Sequence, residues 1–541
     1  MTVEGHHTAG PLVSCTSLHP VPSPPMPAPD SLPWWRSGVV YQVYPRSFSD
    51  SDGDGVGDLE GVRRRLDHLV WLGVDAVWLS PFYRSPMADF GYDVADFCDV
   101  DPLFGDLAAF DRLLAEAHEA GIRIVVDLVP NHTSDQHPWF QAARRSRDDP
   151  QRDWYVWRDG PGDGRPPNNW RAAFIDGPAW TWDEPTGQWY LHQFLPQQPD
   201  LNWEHPDVVA AMHDVMRFWL DRGVDGFRID VVHCIGRDTT VDDDPPWDEI
   251  PHCASNEHPS THEHIRAMRR LVDAYPGDRM LVGETALPGT RWVAPYYGAG
   301  DELHLAFNFA ATHAPWDAAV WRHRIERIIE ELGPKDAWPT WVLSNHDVPR
   351  HRTRYGSEAR ARAAAVAALT QRGTPFLYAG EELVLEDAVV PPELVVDPGG
   401  RDGCRAPVPW DRAAGHGWGA TTWLPFPPDA AARSVEAQRE DPGSILHLYR
   451  RLLAARRSSP ALQHGDLELL ATPASALGWR RRWAGPDGAV DERTTLVAFG
   501  PDAAEVEAKG IVEVSSDGAG EGEPFGGTLR PDTAVLLRPT R

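Results

Sequence analysis

What most limits how this chain can fold is a repeated change of period. From residue 39 onward, short β-branched apolar runs alternate with longer amphipathic stretches, the pattern of βαβ units feeding a parallel sheet. The runs that read as strands are 39–44, 74–79, 122–128, 225–229, 280–283, 303–309, 340–343 and 375–378, and a helix over 107–120 stops at Gly121 ahead of the third strand. Eight units in a chain of 541 residues predict an α/β fold of the closed (β/α)8, or TIM-barrel, class. One interval is oversized: about 95 residues separate the third and fourth strands, too many for a loop without structure of its own. Residues 133–205 inside it hold eight of the 24 tryptophans and predict a small inserted domain on the top face of the barrel. After residue 460, short alternating runs such as 494–499 and 533–537 predict a C-terminal antiparallel β domain. The expected organisation is a Pro-rich disordered tail over 1–33, barrel segments over 34–132 and 206–459, the insert over 133–205 and the β domain over 460–541.

Composition removes several classes of partner. Acidic residues outnumber basic ones 80 to 51, a formal charge of −29 that repels a phosphate backbone, so nucleic acid is not an expected partner. Five cysteines, an odd number without CxxC or His-paired spacing, suit a reducing compartment. No run approaches the roughly 20 apolar residues of a membrane helix and no signal-peptide pattern opens the chain, so a cytoplasmic protein is expected. The 24 tryptophans suit the apolar faces of sugars, although packing is the commoner use of that side chain.

Four predicted strands end in polar residues: Asp127-Leu-Val-Pro-Asn-His132, Arg228-Ile-Asp230, Gly283-Glu284-Thr285 and Ser344-Asn-His346-Asp347. In a (β/α)8 barrel these strand ends share one rim, so groups 50 to 100 residues apart in sequence meet there. Splitting a glycosidic bond needs such a set: an ionised carboxylate beside the anomeric carbon and a protonated acid beside the leaving oxygen. Asp230 suits the first role, because Arg228 lies two residues away on the same side of the strand and favours the charged form. Glu284 follows the apolar run Met-Leu-Val and has no neighbouring base in sequence, so burial and nearby carboxylates are expected to make it the proton donor. Asp347 is the third acid, expected to bind sugar hydroxyls and to help keep Glu284 protonated. Taken singly, each has a plainer use as a structural ion pair, a helix cap or a half-buried histidine. Their joint occurrence on the strands of one barrel favours chemistry. A separate run, Asp50-Ser-Asp52-Gly-Asp54-Gly-Val56-Gly-Asp58, places oxygen donors at alternate positions as a Ca²⁺ loop does, a solvated Asp/Gly turn being the alternative.

These motifs resemble those of the α-amylase superfamily, glycoside hydrolase family thirteen, and most closely its α-glucosidase/oligo-1,6-glucosidase branch, over residues 34 to about 453. The segments 127–132, 226–233, 283–284 and 345–347 resemble its four ordered signatures. The resemblance implies that Asp230 is the nucleophile, Glu284 the general acid/base and Asp347 the transition-state stabiliser. It further implies that Asp93, His132, Arg228 and His346 grip the nonreducing-end glucose, with Tyr92 stacked beneath its ring. Gln198-Pro-Asp-Leu-Asn202 and Gly400-Arg-Asp-Gly-Cys-Arg405-Ala-Pro-Val-Pro-Trp410 resemble segments of the same branch, and Arg405 is expected to line the leaving-sugar subsite. His233-Cys234 stands where endo-acting relatives usually carry Lys-His, which implies an exo-acting enzyme, and Val231 resembles the residue of α-1,6-preferring relatives. Relatives with the acidic loop hold a structural Ca²⁺, here through Asp50, Asp52, Asp54, Asp58 and the Val56 carbonyl, with Gly61 in place of the closing glutamate of a true EF-hand.

The expected activity is a retaining exo-α-glucosidase acting on small α-glucosides or oligosaccharides, with transfer to sugar acceptors as a side reaction. A dedicated glucosyltransferase or sucrose isomerase is the alternative, disfavoured because no Arg-Leu-Asp-Arg-like loop follows Phe309. A noncatalytic transporter-associated relative is disfavoured by the presence of all three acids. Ala379 stands where relatives usually have Gln or Tyr.

Overall fold

A computed structural model describes residues 32–239, 256–419, 421–486 and 488–540. All but the last two residues of the expected N-terminal tail lie outside that range. Eight strands form the barrel: β1 (Val40–Val43), β2 (Ala76–Leu79), β3 (Arg123–Leu128), β4 (Gly226–Ile229), β5 (Met280–Gly283), β6 (Leu305–Ala306), β7 (Thr340–Val342) and β8 (Thr374–Tyr378). They pair in parallel in the order β6-β5-β4-β3-β2-β1-β8-β7. Nearly every strand residue is buried, as expected of a sheet covered on both faces.

The eight expected strands are all present, most of them within two residues of the expected bounds and one much shorter. The run 303–309 yields only the two ladder residues of β6, because its far edge meets β7 through a side chain. Thr340 Oγ1 donates to the Ala306 carbonyl at 3.0 Å and accepts from the Asn308 amide at 2.9 Å, closing the barrel there. The helix expected over 107–120 spans Leu107–Glu119; Asp106 caps it by accepting from the Ala109 amide, and Gly121 leaves it at φ +78°.

Strand alternation fixes what points inward. Val40, Ala76, Trp78, Val125, Met280, Val282, Leu305, Phe307, Val342 and Phe376 fill the barrel interior, with Trp34 and Trp338 packed against the same cluster. Stepping by two along the strands carries this inward face to Gln42, Asp127, Arg228, Asp230 and Glu284 at the C-terminal ends. The apolar interior therefore gives way to a polar layer at one rim. At the start of β4 a side chain on Gly226 would lie 2.2 Å from the Met280 carbonyl, so glycine is needed for β4 and β5 to approach.

Between β3 and β4, Trp157–Arg158, Gln188–Leu191 and Trp180–Asp183 form a three-stranded antiparallel sheet with its own small core of Val156, Trp170, Ala179, Trp180 and Leu191. Single bridges His132 to Asp200 and Tyr155 to Leu201 tie the two ends of this insert to the rim. The C-terminal sheet runs β9 (Asp466–Leu469), β10 (Ala476–Ala484), β11 (Val490–Ala498), β12 (Ile511–Ser515) and β13 (Ala534–Arg538), in the antiparallel order β9-β10-β11-β13-β12. It lies against the Ala-rich helix Glu358–Thr370, which is buried from Ala363 to Thr370 without a break, and Arg481 anchors it by donating to the Gln371 carbonyl at 2.5 Å. No described helix is long and apolar enough to cross a membrane.

Candidate active site

The rim carries a cavity of about 790 Å³, walled on one side by the barrel strand ends and on the other by Trp170, Phe174 and Phe194 of the insert. Its base is organised by one fully buried guanidinium. Arg228 Nη1 donates to Asp127 Oδ1 at 2.8 Å and to Asp230 Oδ1 at 2.7 Å, and Nη2 is ion-paired with Glu284 Oε2. Asp127 is held further by the Trp78 indole N–H at 3.0 Å and the Tyr92 hydroxyl at 3.3 Å. Asp230 and Glu284, 54 residues apart, are thus fixed to the same side chain.

Asp127 and Asp230, packed around one shared cation, are both shifted toward retaining protons. Burial raises Asp127 to about 6 in spite of Arg228. Burial likewise holds Asp230 well above the usual carboxylate range; Arg228 opposes this, and Glu284 and Asp127 add to it. Arg228 favours the ionised form of Asp230, as its place in the sequence implies, but it works against burial and two neighbouring acids. The same cation serves three acids, so its effect is divided. Nor does Glu284 lack a basic neighbour in space, since Arg228 pairs with it. The amide of Val231 also lies 3.3 Å from Glu284 Oε2, in a left-handed conformation (φ 33°, ψ 44°) that is costly for a β-branched residue. Backbone strain beside Asp230 thus directs an N–H at its partner acid.

Asp347 has the opposite electrostatic setting. Burial works to raise it, but His346 and the guanidiniums of Arg401 and Arg405 outweigh burial and hold it well below the usual range. Arg401 Nη1 and Arg405 Nη2 reach its Oδ1 at 3.1 and 3.2 Å. His346 stays neutral, pushed down by burial to about 3. Gln42 Nε2 donates to its Nδ1 at 2.8 Å, which leaves Nε2 to face the Tyr92 hydroxyl at 2.7 Å. Its ring stacks on Tyr92 at 5.4 Å and an interplanar angle of 6°.

Of the nine expected catalytic and substrate-binding residues, Asp230, Glu284, Asp347, Tyr92, His132 and His346 line the cavity. Three do not, and their places are corrections. Asp93 is fully buried: its carboxylate accepts from Ser85 Oγ at 2.8 Å and from the amides of Ala88 and Asp89 at 2.9 and 3.0 Å, so it shapes a turn instead of meeting a sugar. Arg228 lies beneath the floor and acts through the carboxylates it holds. Arg405 is also sealed off, its Nε donating to the His346 carbonyl at 2.8 Å, behind Asp347 and away from any leaving-sugar subsite.

The positions that line the cavity in their stead are Asp89 and Arg401. Arg401 Nη2 donates to Asp89 Oδ1 at 2.6 Å and to Asp397 Oδ1 at 2.7 Å, with its guanidinium 4.4 Å from the ring centre of Phe174 in the insert. Gln198 Nε2 joins Asp89 Oδ2 at 3.0 Å to His132 Nε2 at 3.1 Å. This pair forms part of the cavity wall. The available signal was proximity: Asp89 and Arg401 each lie four residues before a residue that was singled out, within the same turn or segment.

The acidic loop leads into the helix Leu59–Arg64, where Asp58 is the N-cap, accepting from the Gly61 amide at 2.7 Å and from the Ser51 amide at 2.9 Å. Asp50, Asp52 and Asp58 each offer a carboxylate oxygen within 4.8 Å of the others, a spacing that fits one cation with oxygen ligands at 2.3–2.6 Å. Asp54, expected as a further ligand, is outside this group and accepts from the Val56 amide at 2.8 Å. Position 61 admits no glutamate, because even a Cβ there would lie 1.8 Å from the Ser49 carbonyl oxygen.

Comparison with known proteins agrees with this geometry. Residues 42–465 match the family model described as Alpha amylase, catalytic domain. The chain is 42% identical to a probable alpha-glucosidase of Rhizobium meliloti, covering 83% of this chain and 87% of that one. It is 38% identical to an oligo-1,6-glucosidase of Parageobacillus thermoglucosidasius, covering 81% and 86%. Among solved structures, the alpha-glucosyl transfer enzyme XgtA superposes with a TM-score of 0.87 at 40% identity over 94% of this chain and 100% of that one. The barrel, the four rim acids and these matches together place the chain in the alpha-amylase catalytic-domain family, as a glycoside hydrolase.

Proposed function

We propose that the protein is an exo-acting, retaining α-glucosidase that removes glucose from the nonreducing end of small α-glucosides such as maltose- and isomaltose-type sugars. The observation that carries this reading is the joint hold of Arg228 on Asp230 and Glu284 at the base of a cavity lined by the Asp89–Arg401 pair. Glu284 donates its proton to the glycosidic oxygen as the bond from that oxygen to the anomeric carbon breaks, and Asp230, as the carboxylate that Arg228 favours, attacks the same carbon to form a β-glucosyl ester. Glu284, now a carboxylate, takes a proton from water as the water oxygen displaces Asp230 and releases α-glucose. Asp347, held ionised, is suited to accept from sugar hydroxyls and to oppose positive charge at the anomeric carbon. Proton NMR of the first-formed anomer from p-nitrophenyl α-glucoside tests this. Initial α-glucose is expected, and initial β-glucose would overturn retention.

Similarity to a glucosyl transfer enzyme favours a second outcome of the same intermediate, attack by a sugar or alcohol in place of water. Product analysis with maltose, isomaltose and sucrose measures the ratio. A Ca²⁺ ion held by Asp50, Asp52 and Asp58 would supply a fixed positive charge that locks the first strand-to-helix connection. Chelation is then expected to lower Tm, with Asp52→Asn abolishing the Ca²⁺ response and Asp54→Asn retaining it. An odd number of cysteines without paired spacing supports a reducing, cytoplasmic location.

A further inference from the structure

The catalytic acids are reached from two sides. Beside the main cavity lies a second of about 440 Å³, walled by the 286–288 and 309–313 segments and by Val348. Asn256, Glu284, Ala286 and Asp347 line both. Glu284 is the group that hands a proton to the departing oxygen, so the junction it shares with Asn256 is where a leaving or incoming sugar passes. Asn256 brings to this junction a neutral amide, a group able both to donate to and to accept from a sugar hydroxyl.

Its neighbour explains how it is aimed. Glu257 is buried and takes up a left-handed backbone (φ 56°), an uncommon and costly conformation for a residue with a Cβ. Three contacts impose it. The Glu257 amide donates to the His233 carbonyl at 2.9 Å, and its carboxylate accepts from the Tyr296 hydroxyl and faces His262 Nε2 at 3.8 Å. His262 is in turn held by Glu302 at 2.7 Å, which also takes Arg266 at 2.6 Å. Burial opposes a charge on His262, yet Glu257 and Glu302 push it up to about 9, so the imidazolium persists as a counter-ion at neutral pH. His233 completes the frame: its Nδ1 lies 3.2 Å from the Glu284 carbonyl, so the backbone that carries Asn256 is tied to the backbone that carries the acid.

Strain maintained by this much buried bonding, next to a residue at the junction of both cavities, points to selection for position. Resting on the α-glucosidase reading above, we propose that Asn256 is a specificity-determining residue that binds a hydroxyl of the leaving or accepting sugar, and that Glu257 is the positioning residue that aims it. An aryl glucoside has no such hydroxyl on its leaving group, so it is the natural contrast.

The test compares kcat/KM for maltose and isomaltose with that for p-nitrophenyl α-glucoside. Asn256→Ala is expected to lower the disaccharide-to-aryl ratio about tenfold, the effect of one lost hydrogen bond, mainly through KM. Glu257→Gly keeps the left-handed backbone but removes the anchor, and a drop of about fivefold in the same ratio is expected. Glu257→Gln, which still accepts from Tyr296, is expected to restore most of it. An unchanged ratio in Asn256→Ala, or equal loss on both substrate types, would overturn the assignment of Asn256; a Glu257→Gly ratio equal to wild type would overturn that of Glu257. Wild-type protein that turned over none of the three substrates would instead count against the α-glucosidase reading, which separates the two failures.

Discussion

The two sides of the site contain the same kinds of group in different proportion. On the side of β4 and β5, one guanidinium serves Asp127, Asp230 and Glu284. On the side of β7, two guanidiniums, Arg401 and Arg405, serve Asp89, Asp347 and Asp397. Burial is strong on both, and the number of cations shifts the balance against it. Asp127 and Asp230 are shifted toward holding protons, Asp347 and Asp397 toward giving them up, and Asp89 is still raised by burial. A double displacement draws on both sides: Glu284 delivers a proton, Asp230 attacks in the carboxylate form that Arg228 favours, and Asp347 stays charged to oppose the developing positive charge.

Removing the nucleophile should have the largest effect. Asp230→Asn is expected to lower kcat about 10,000-fold with its circular dichroism spectrum unchanged. Arg228→Lys comes next: a point charge cannot bridge two acids as a planar fork does, and a loss of about 1,000-fold in kcat/KM is expected. If Arg228→Lys were nearly as active as wild type, sharing of one guanidinium would not matter to the chemistry. On the cation-rich side, Arg401→Lys should act on binding, raising KM roughly 10- to 50-fold with a smaller change in kcat, because it disturbs the pair with Asp89 that lines the cavity. Equal losses in kcat from the two arginine variants would erase the contrast between the sides.

The smallest effect concerns stability, and its sign distinguishes the two sides. Burial holds Asp230 above the ordinary Asp value of about 3.9, so between that value and its folded value the native state binds more protons than the unfolded state, and stability falls as pH rises. Asp230→Asn removes that penalty. Its Tm should exceed wild type by about 1–2 °C at pH 7, and the gain should vanish below pH 4. Asp347 is depressed, so its ionised form contributes stability that is present above about pH 4 and is lost as pH falls through its folded value. Asp347→Asn should therefore lower Tm at pH 7 and converge with wild type only in strong acid.

Much of this was legible in the sequence, for physical reasons. The barrel strands are apolar runs with few alternatives, and once Val282 and Arg228 point inward, the period of two carries Glu284 and Asp230 inward with them. Loops have no such period. Asp93 and Asp89 sit in one turn, as Arg405 and Arg401 sit in one segment, and in each pair the residue singled out from sequence props the backbone while the other faces the sugar site. The sharing of Arg228 among three acids was hidden for a related reason. Arg228 is adjacent in sequence to one carboxylate only, and its other two clients, Asp127 and Glu284, arrive from neighbouring strands. The short β6 and its closure through Thr340 were likewise hidden, since a side chain replacing a ladder leaves no pattern along the chain.

Trapping the covalent intermediate examines the pairing of Asp230 with Glu284 most directly. Incubation with 5-fluoro-α-glucosyl fluoride followed by peptide mass spectrometry should show one added 5-fluoroglucosyl group on the peptide containing Asp230. A label on Glu284, Asp127 or Asp347, or rapid turnover of a Asp230→Asn variant with no label anywhere, would contradict the double displacement described here.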